Sequence, residues 1–168
     1  MSEFEGNILN KEDTQNGKFL IFNTDGEQYG IEIKHVIEII GISPISEIPE
    51  LPKYIRGVIN LRGKVIPVID IRLRFNKSFK EYNDRTCIVI IEVEDMLIGV
   101  IVDKVLEVLR IKEEEIMEPP EISRDKKGYI KAIGKSHNEI NFILDCERLI
   151  SSEEIKKLSS KNGVREDN

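Results

Sequence analysis

An all-β protein, built as two small five-stranded barrels packed together, is what this sequence predicts. Three observations carry that expectation. Short β-branched runs follow one another along the chain, turn signals punctuate them, and the second half repeats the first. At 168 residues the chain fits one domain of ordinary size, or two small ones sharing a core.

Taken in order, Phe19-Leu20-Ile21-Phe22 reads as a buried strand, and Asn23-Thr24-Asp25-Gly26 supplies turn chemistry. Gln28 to Ile33 returns as a second strand. Val36-Ile37-Glu38-Ile39-Ile40 is β-branched and too short for a helix. Prolines at 44, 49 and 52 make Ser43 to Pro52 a loop, because proline lacks the N–H that a central strand needs. Tyr54 to Leu61 and Lys64 to Ile69 flank Arg62-Gly63, a tight hairpin signal. The Asp70 carboxylate is placed to accept from free N–H groups of a short helical turn through Ile71-Arg72-Leu73. Strands resume at Cys87 to Val93, Met96 to Val102 and Val105 to Ile111. The charged stretch Glu113 to Gly128, with Pro119-Pro120, reads as loop. Tyr129 to Gly134 and Glu139 to Leu144 form the last pair. Ser151-Ser152-Glu153-Glu154 is a capping-box pattern opening a short helix over 151–158, while residues 1–16 and 159–168 are expected to be flexible.

The repeat rests on ordered markers. Tyr29-Gly30-Ile31 matches Ile98-Gly99-Val100, 69 positions on, and Val36 to Ile40 lands on Val105 to Leu109 at the same offset. Phe19 to Phe22 lands on Ile88 to Ile91 likewise. Further on, Tyr54-Ile55-Arg56 matches Tyr129-Ile130-Lys131, and Asp70 matches Asp145, both 75 positions on. The difference is a six-residue insertion absorbed by the charged loop. Closing each five-strand unit into a barrel removes the exposed edges of an open sheet. Boundaries near 30–85 and 86–145 follow, with some strands exchanged.

Composition narrows the function. A net charge of −6 argues against DNA or RNA as partner, since that affinity rests on Lys and Arg neutralising phosphates. With no Trp and four Tyr there is little for bases to stack on. No apolar run approaches the ~20 residues of a bilayer helix, and the polar, acidic start is no secretory signal, so a cytoplasmic protein without membrane insertion is expected. Cys87 and Cys146 sit far apart in apolar stretches and read as reduced core thiols.

No catalytic pattern emerges. His35 and His137 stand alone, without the spacing of a zinc site, and no phosphate-cradling or nucleophile-elbow motif occurs. Asp70 and Asp145 are the one conceivable carboxylate pair, but their equivalent places in the repeat fit helix capping. The expectation is a binding protein with no enzyme activity, no metal and no cofactor. An oligonucleotide- or oligosaccharide-binding barrel is the alternative from another class; it requires a basic or aromatic groove.

Val36 to Ile40 is apolar on both faces: Val36, Glu38 and Ile40 share one side, Ile37 and Ile39 the other. A small barrel buries one face, so the other is covered by the sister barrel or by a partner. Val105, Glu107 and Leu109 repeat the arrangement.

The run Ile55-Arg56-Gly57-Val58-Ile59-Asn60-Leu61-Arg62-Gly63, with Val65 to Asp70 after it, resembles the CheW family. So do Phe19 to Phe22, Tyr29 to Ile31, Val36 to Ile39, Leu97 to Asp103 and Tyr129-Ile130, over roughly Gly17 to Leu158. The resemblance implies two SH3-like five-stranded barrels and an adaptor that links methyl-accepting chemotaxis receptors to the histidine kinase CheA. A similar adaptor in another receptor–kinase system, such as pilus motility, is the nearest alternative. By that resemblance the receptor tip lies in the groove between barrels, near Val36, Glu38, Gly57, Arg62, Val105 and Val108. The regulatory domain of the kinase meets surfaces around Arg56, Val65 and Ile122. Gly57 would then admit a partner backbone closely, and a Glu38–Arg62 pair would hold the hairpin arginine as a donor fork.

Overall fold

The structure, a computed structural model, describes residues 16–120, 128–151 and 153–154. Within them the chain is almost all strand. Lys18–Thr24 (β1) and Glu27–Glu32 (β2) form a hairpin around Asp25 and Gly26, which both take the positive φ that a tight turn requires. A 3-10 turn at Ile33–His35 leads to Val36–Gly41 (β3); Ile55–Leu61 (β4) and Lys64–Asp70 (β5) pair across Arg62-Gly63. Helix α1 is the single turn Ile71–Arg74, and Cys87–Val93 (β6), Met96–Val102 (β7), Lys104–Arg110 (β8), Ile116–Met117 (β9), Ile130–Ser136 (β10) and Glu139–Leu144 (β11) complete the order.

The repeat is preserved in three dimensions. Moving β1 forward 69 residues gives the bounds of β6, and moving β4 forward 75 gives those of β10. The capping aspartates are equivalent too. Asp70 Oδ1 accepts from the N–H of Arg72 at 2.9 Å, and Asp145 Oδ1 from the N–H of Glu147 at 3.1 Å. Asp70 is therefore a cap, with its second oxygen taken by the Tyr82 hydroxyl at 2.7 Å. The capping box is present as reciprocal bonds between Ser151 and Glu154, and residues 155–158 of the expected helix lie outside the described residues.

The sheets do not follow the halves of the sequence. One is six-stranded in the order β8-β1-β2-β11-β10-β9, the other five-stranded in the order β3-β6-β7-β5-β4. Each therefore joins the leading hairpin of one repeat to the trailing strands of the other, through the parallel pairs β11–β2 and β5–β7. Both sheets curl back on themselves. The chain leaving β8 re-enters its own sheet as β9, which pairs with β10 at Met117 and Ile133. At the equivalent place after β3, Ser46 bridges Val58 of β4. Ile116–Met117 thus corrects the reading of 113–128 as loop throughout. Two residues are too few to show a period in sequence, and backbone pairing alone makes them a strand.

Alternation along each strand divides the core. On β6, Ile88 and Ile90 face the interior of the five-stranded sheet with Ile59, Ile66, Val68 and Ile101. Val89, Ile91 and Val93 face the other way, into a larger cluster shared with Leu20, Phe22 and Ile31 of the opposite sheet. On β1 the same alternation sends Phe19 and Ile21 to the interior with Ile111 and Ile143. Both faces are buried, which explains why these strands read as unbroken apolar runs.

A polar clamp sits beside this shared core. Arg72, on α1 of the five-stranded sheet, donates from Nε to Asp103 Oδ1 at 3.0 Å and from Nη2 to Asp103 Oδ2 at 2.6 Å. Its Nη1 reaches Asp25 Oδ1, in the turn of the other sheet, at 3.1 Å, and Lys77 Nζ donates to Asp25 Oδ2 at 3.0 Å. Burial disfavours the Asp103 carboxylate, yet the Arg72 hydrogen bonds, the Asp25 N–H and the charges of Arg72 and Lys80 together outweigh it and hold the pKa below the usual range. Lys77, then Arg72, lowers that of Asp25. Carboxylates with depressed folded pKa values stabilise above the unfolded value and lose that contribution as pH falls through the folded one. Replacement of Arg72 by Met is therefore expected to cost about 2 kcal/mol in urea unfolding at pH 7. The difference from wild type shrinks as pH falls below the ordinary aspartate value of about 4 and on through the lowered folded values; a difference that persists unchanged into acid contradicts the clamp.

Candidate partner-binding site

β3 and β8 are equivalent strands on the outer edges of the two sheets, and they carry the apolar surface that the fold leaves open. Ile37 and Ile39 are 51% and 41% exposed, and Leu106 and Val108, their mates 69 residues on, are 38% and 51% exposed. The sister sheet does not cover this face. Burial alternates along β3, with Val36, Glu38 and Ile40 half-buried and Ile37 and Ile39 out. A register shift between Val36 and Glu38 in the pairing with β6 lets the first residues turn inward, where Val36 joins the shared cluster together with Val105.

The residues singled out in sequence take different positions. Glu38 and Arg62 come together: the guanidinium, on the β4–β5 turn, donates to the carboxylate across the seam that closes the five-stranded sheet. That hydrogen bond and the charge of Glu38 raise the pKa of Arg62, and Arg62 itself sits at φ 50° in the turn. Val36 and Val105 line the shared cluster, while Val108 stands exposed on the outer face. Gly57 has its close neighbour within this chain. At φ 141°, a Cβ there would lie 2.8 Å from the Ser46 carbonyl carbon and 3.0 Å from Glu47 Cα. The backbone it admits is its own Ser46–Glu47 segment, held by Ser46 N–H to Val58 O at 2.8 Å and Val58 N–H to Ser46 O at 2.9 Å. Arg56 lays its guanidinium over the Phe79 ring at 4.8 Å. Val65 is 54% exposed at the tip of β5, and Ile122 lies outside the described residues.

Sequence reasoning put Ile37 and Ile39 together on one face of the edge strand but did not count them among the partner-binding residues, and it passed over Leu106. It also passed over Ile140, which stands 75 residues after Val65 and is equally exposed. The repeat offsets held the signal, since Val108 maps back to Ile39 and Val65 forward to Ile140. Among the described residues no three His, Cys, Asp or Glu side chains cluster to hold a metal, and no helix is long and apolar enough to cross a membrane.

Known proteins share this arrangement. The family of CheW-like domains matches residues 18–154. A chemotaxis protein CheW of Klebsiella aerogenes is 34% identical over 144 residues, covering 85% of this chain and 87% of the relative. One of Bacillus subtilis is 36% identical over 137 residues, covering 81% and 88%. Among solved structures, the scaffolding protein TtCheW of Thermoanaerobacter tengcongensis superposes with a TM-score of 0.77 at 34% identity, over 82% of this chain and 94% of that one.

The Gly57 geometry has a direct consequence. Gly57→Ala is expected to destabilise by about 2 kcal/mol or more, because both the positive φ and the Ser46–Glu47 backbone oppose a Cβ. Thermal unfolding measures it; an unchanged midpoint would remove the account of this glycine.

Proposed function

The chain belongs to the CheW-like family, and from that premise we propose that it is a chemotaxis adaptor, a non-catalytic cytoplasmic scaffold linking chemoreceptors to a histidine kinase. One observation carries the reading: the same exposed apolar stripe, Ile37 with Ile39 and Leu106 with Val108, occurs once on each sheet. Contiguous exposed apolar surface on a soluble domain marks an interaction site. The stripe on β3 runs beside Glu38 and Arg62, whose exposed donor fork adds direction to an otherwise undirected contact.

The receptor tip, a long helical hairpin by family resemblance, takes the β3 and β8 side, using Ile39, Val108, Glu38 and Arg62. The regulatory domain of the kinase takes the ends of the barrels, at Val65 and Arg56 on one and at Ile140 on the other. Ile122 is assigned to the same kinase surface from the resemblance. The adaptor contributes binding free energy at two surfaces and thereby fixes the geometry in which receptor motion biases the kinase. No bond is made or broken.

Isothermal titration of the isolated kinase regulatory domain and of a receptor-tip fragment separates the two surfaces. Wild type is expected to bind each saturably, one to one. Ile39→Glu and Val108→Glu place an unpaired charge in the receptor contact and should weaken that binding roughly 30-fold while sparing the kinase. Val65→Glu should do the reverse. Receptor affinity unchanged in both edge-strand variants would refute the assignment, and failure of wild type to bind either partner would refute the adaptor reading.

A further inference from the structure

The two barrels are equivalent in strand order but not in how their mouths are filled. In the five-stranded one, Tyr82 packs against the cluster of Val68, Ile88 and Ile101 and donates its hydroxyl to Asp70 at 2.7 Å, leaving a cavity of only about 10 Å³ beside it. Phe79 sits edge-on to Tyr82, beneath the Arg56 guanidinium. Both rings come from the stretch between the repeats that leads into β6.

In the six-stranded barrel the equivalent mouth is a cleft of about 730 Å³. Its floor repeats the other position by position. Phe19 is the mate of Ile88 and Ile111 that of Ile42, 69 positions apart, while Ile143 is the mate of Val68, 75 apart. Ile116 precedes Met117, which pairs with β10 as Ser46, after Ile45, pairs with β4. What the sequence does not repeat is the pair of rings. The residues 69 positions before Phe79 and Tyr82 are Asn10 and Asp13, and neither supplies an aromatic side chain. The rim sets the charge of what fits. Glu32, Glu113 and Glu114 share it with Arg110, Lys112 and Lys131, and Glu32 is paired with Lys131, so no net charge is favoured.

We propose that this cleft docks a partner protein through a segment of balanced charge that inserts an aromatic side chain, a tyrosine whose hydroxyl donates to Glu32. The filling of the other barrel is the template. A ring in the cleft covers Ile116 and Ala132, the half-exposed part of the floor, as Tyr82 covers its own cluster. Its hydroxyl then needs an acceptor, and Glu32 on the rim offers the carboxylate that Asp70 offers Tyr82. The contact goes beyond the adaptor surfaces proposed above and does not rest on them, since none of Ile39, Val108, Val65 and Ile140 lines the cleft.

The probe is a synthetic peptide of residues 78–85, which carries Phe79 and Tyr82 with two cations against two carboxylates. It is titrated into full-length protein with labelled isoleucine methyls. Saturable shifts are expected at Ile111, Ile116 and Ile143, with Ile45, Ile88 and Ile101 unmoved. A peptide carrying Phe79→Ala and Tyr82→Ala should bind at least about tenfold more weakly. In the protein, Ala132→Phe fills the cleft from within and should weaken binding by a similar factor, and unmoved Ile88 and Ile101 methyls show that its fold is kept. Absence of saturable shifts up to about 5 mM peptide would overturn the proposal, as would equal shifts from the ring-bearing and ring-free peptides. Shifts at Ile45 and Ile88 instead would put the peptide in the other barrel and overturn it as well.

Discussion

Two-sided burial of the central strands is the constraint on which this molecule depends. A strand carrying Ile or Val at every position exposes a full apolar face unless something lies on each side of it. The chain meets that requirement by giving each sheet an interior of its own and pressing the remaining faces together. Leu20, Phe22 and Ile31 thereby meet Val89, Ile91 and Val100. At the centre, Arg74 is held between the repeat-equivalent rings of Tyr54 at 3.9 Å and Tyr129 at 4.7 Å, one from each sheet. Burial lowers the pKa of that guanidinium, a cost which stacking on two aromatic faces offsets.

The exchange of strands follows from the same demand. With β1 and β2 built into the sheet that ends the second repeat, neither sheet can be completed by one half of the sequence. The Arg72 clamp to Asp25 and Asp103 then fixes the angle between the sheets. An adaptor that transmits geometry needs such a joint: two surfaces on two barrels report on one another only if the barrels do not swivel freely. The edge strands β3 and β8 are left with one face uncovered, and this is the surface a partner can use.

Much of this was legible in the residues. The apolar runs and turn signals placed ten strands to within a residue or two, and Asp70 and Asp145 announced their caps through carboxylates at equivalent strand ends. The Glu38–Arg62 pair, expected from the family resemblance, is present as well. Other features were not. Which sheet β1 and β2 would join depends on long-range pairing that local pattern does not encode. The family resemblance put Val36 and Val105 at the partner surface; in the structure both pack half-buried against the shared cluster, and the opposite face of β3 leaves Ile37 and Ile39 outside. Gly57 looked like space for a partner, because a glycine marks a close approach without naming what approaches. Here it is Ser46.

The central claim is that the shared core makes two repeats a single cooperative unit. Hydrogen exchange across a urea series reads it directly, with β6 and β7 amides reporting on one sheet and β1 and β11 amides on the other. The account predicts that the slowest amides of both sheets exchange through one common unfolding event, with the same free energy and the same urea dependence. Protection that vanishes in one sheet at a urea concentration where the other keeps it would show two independent barrels and contradict the account.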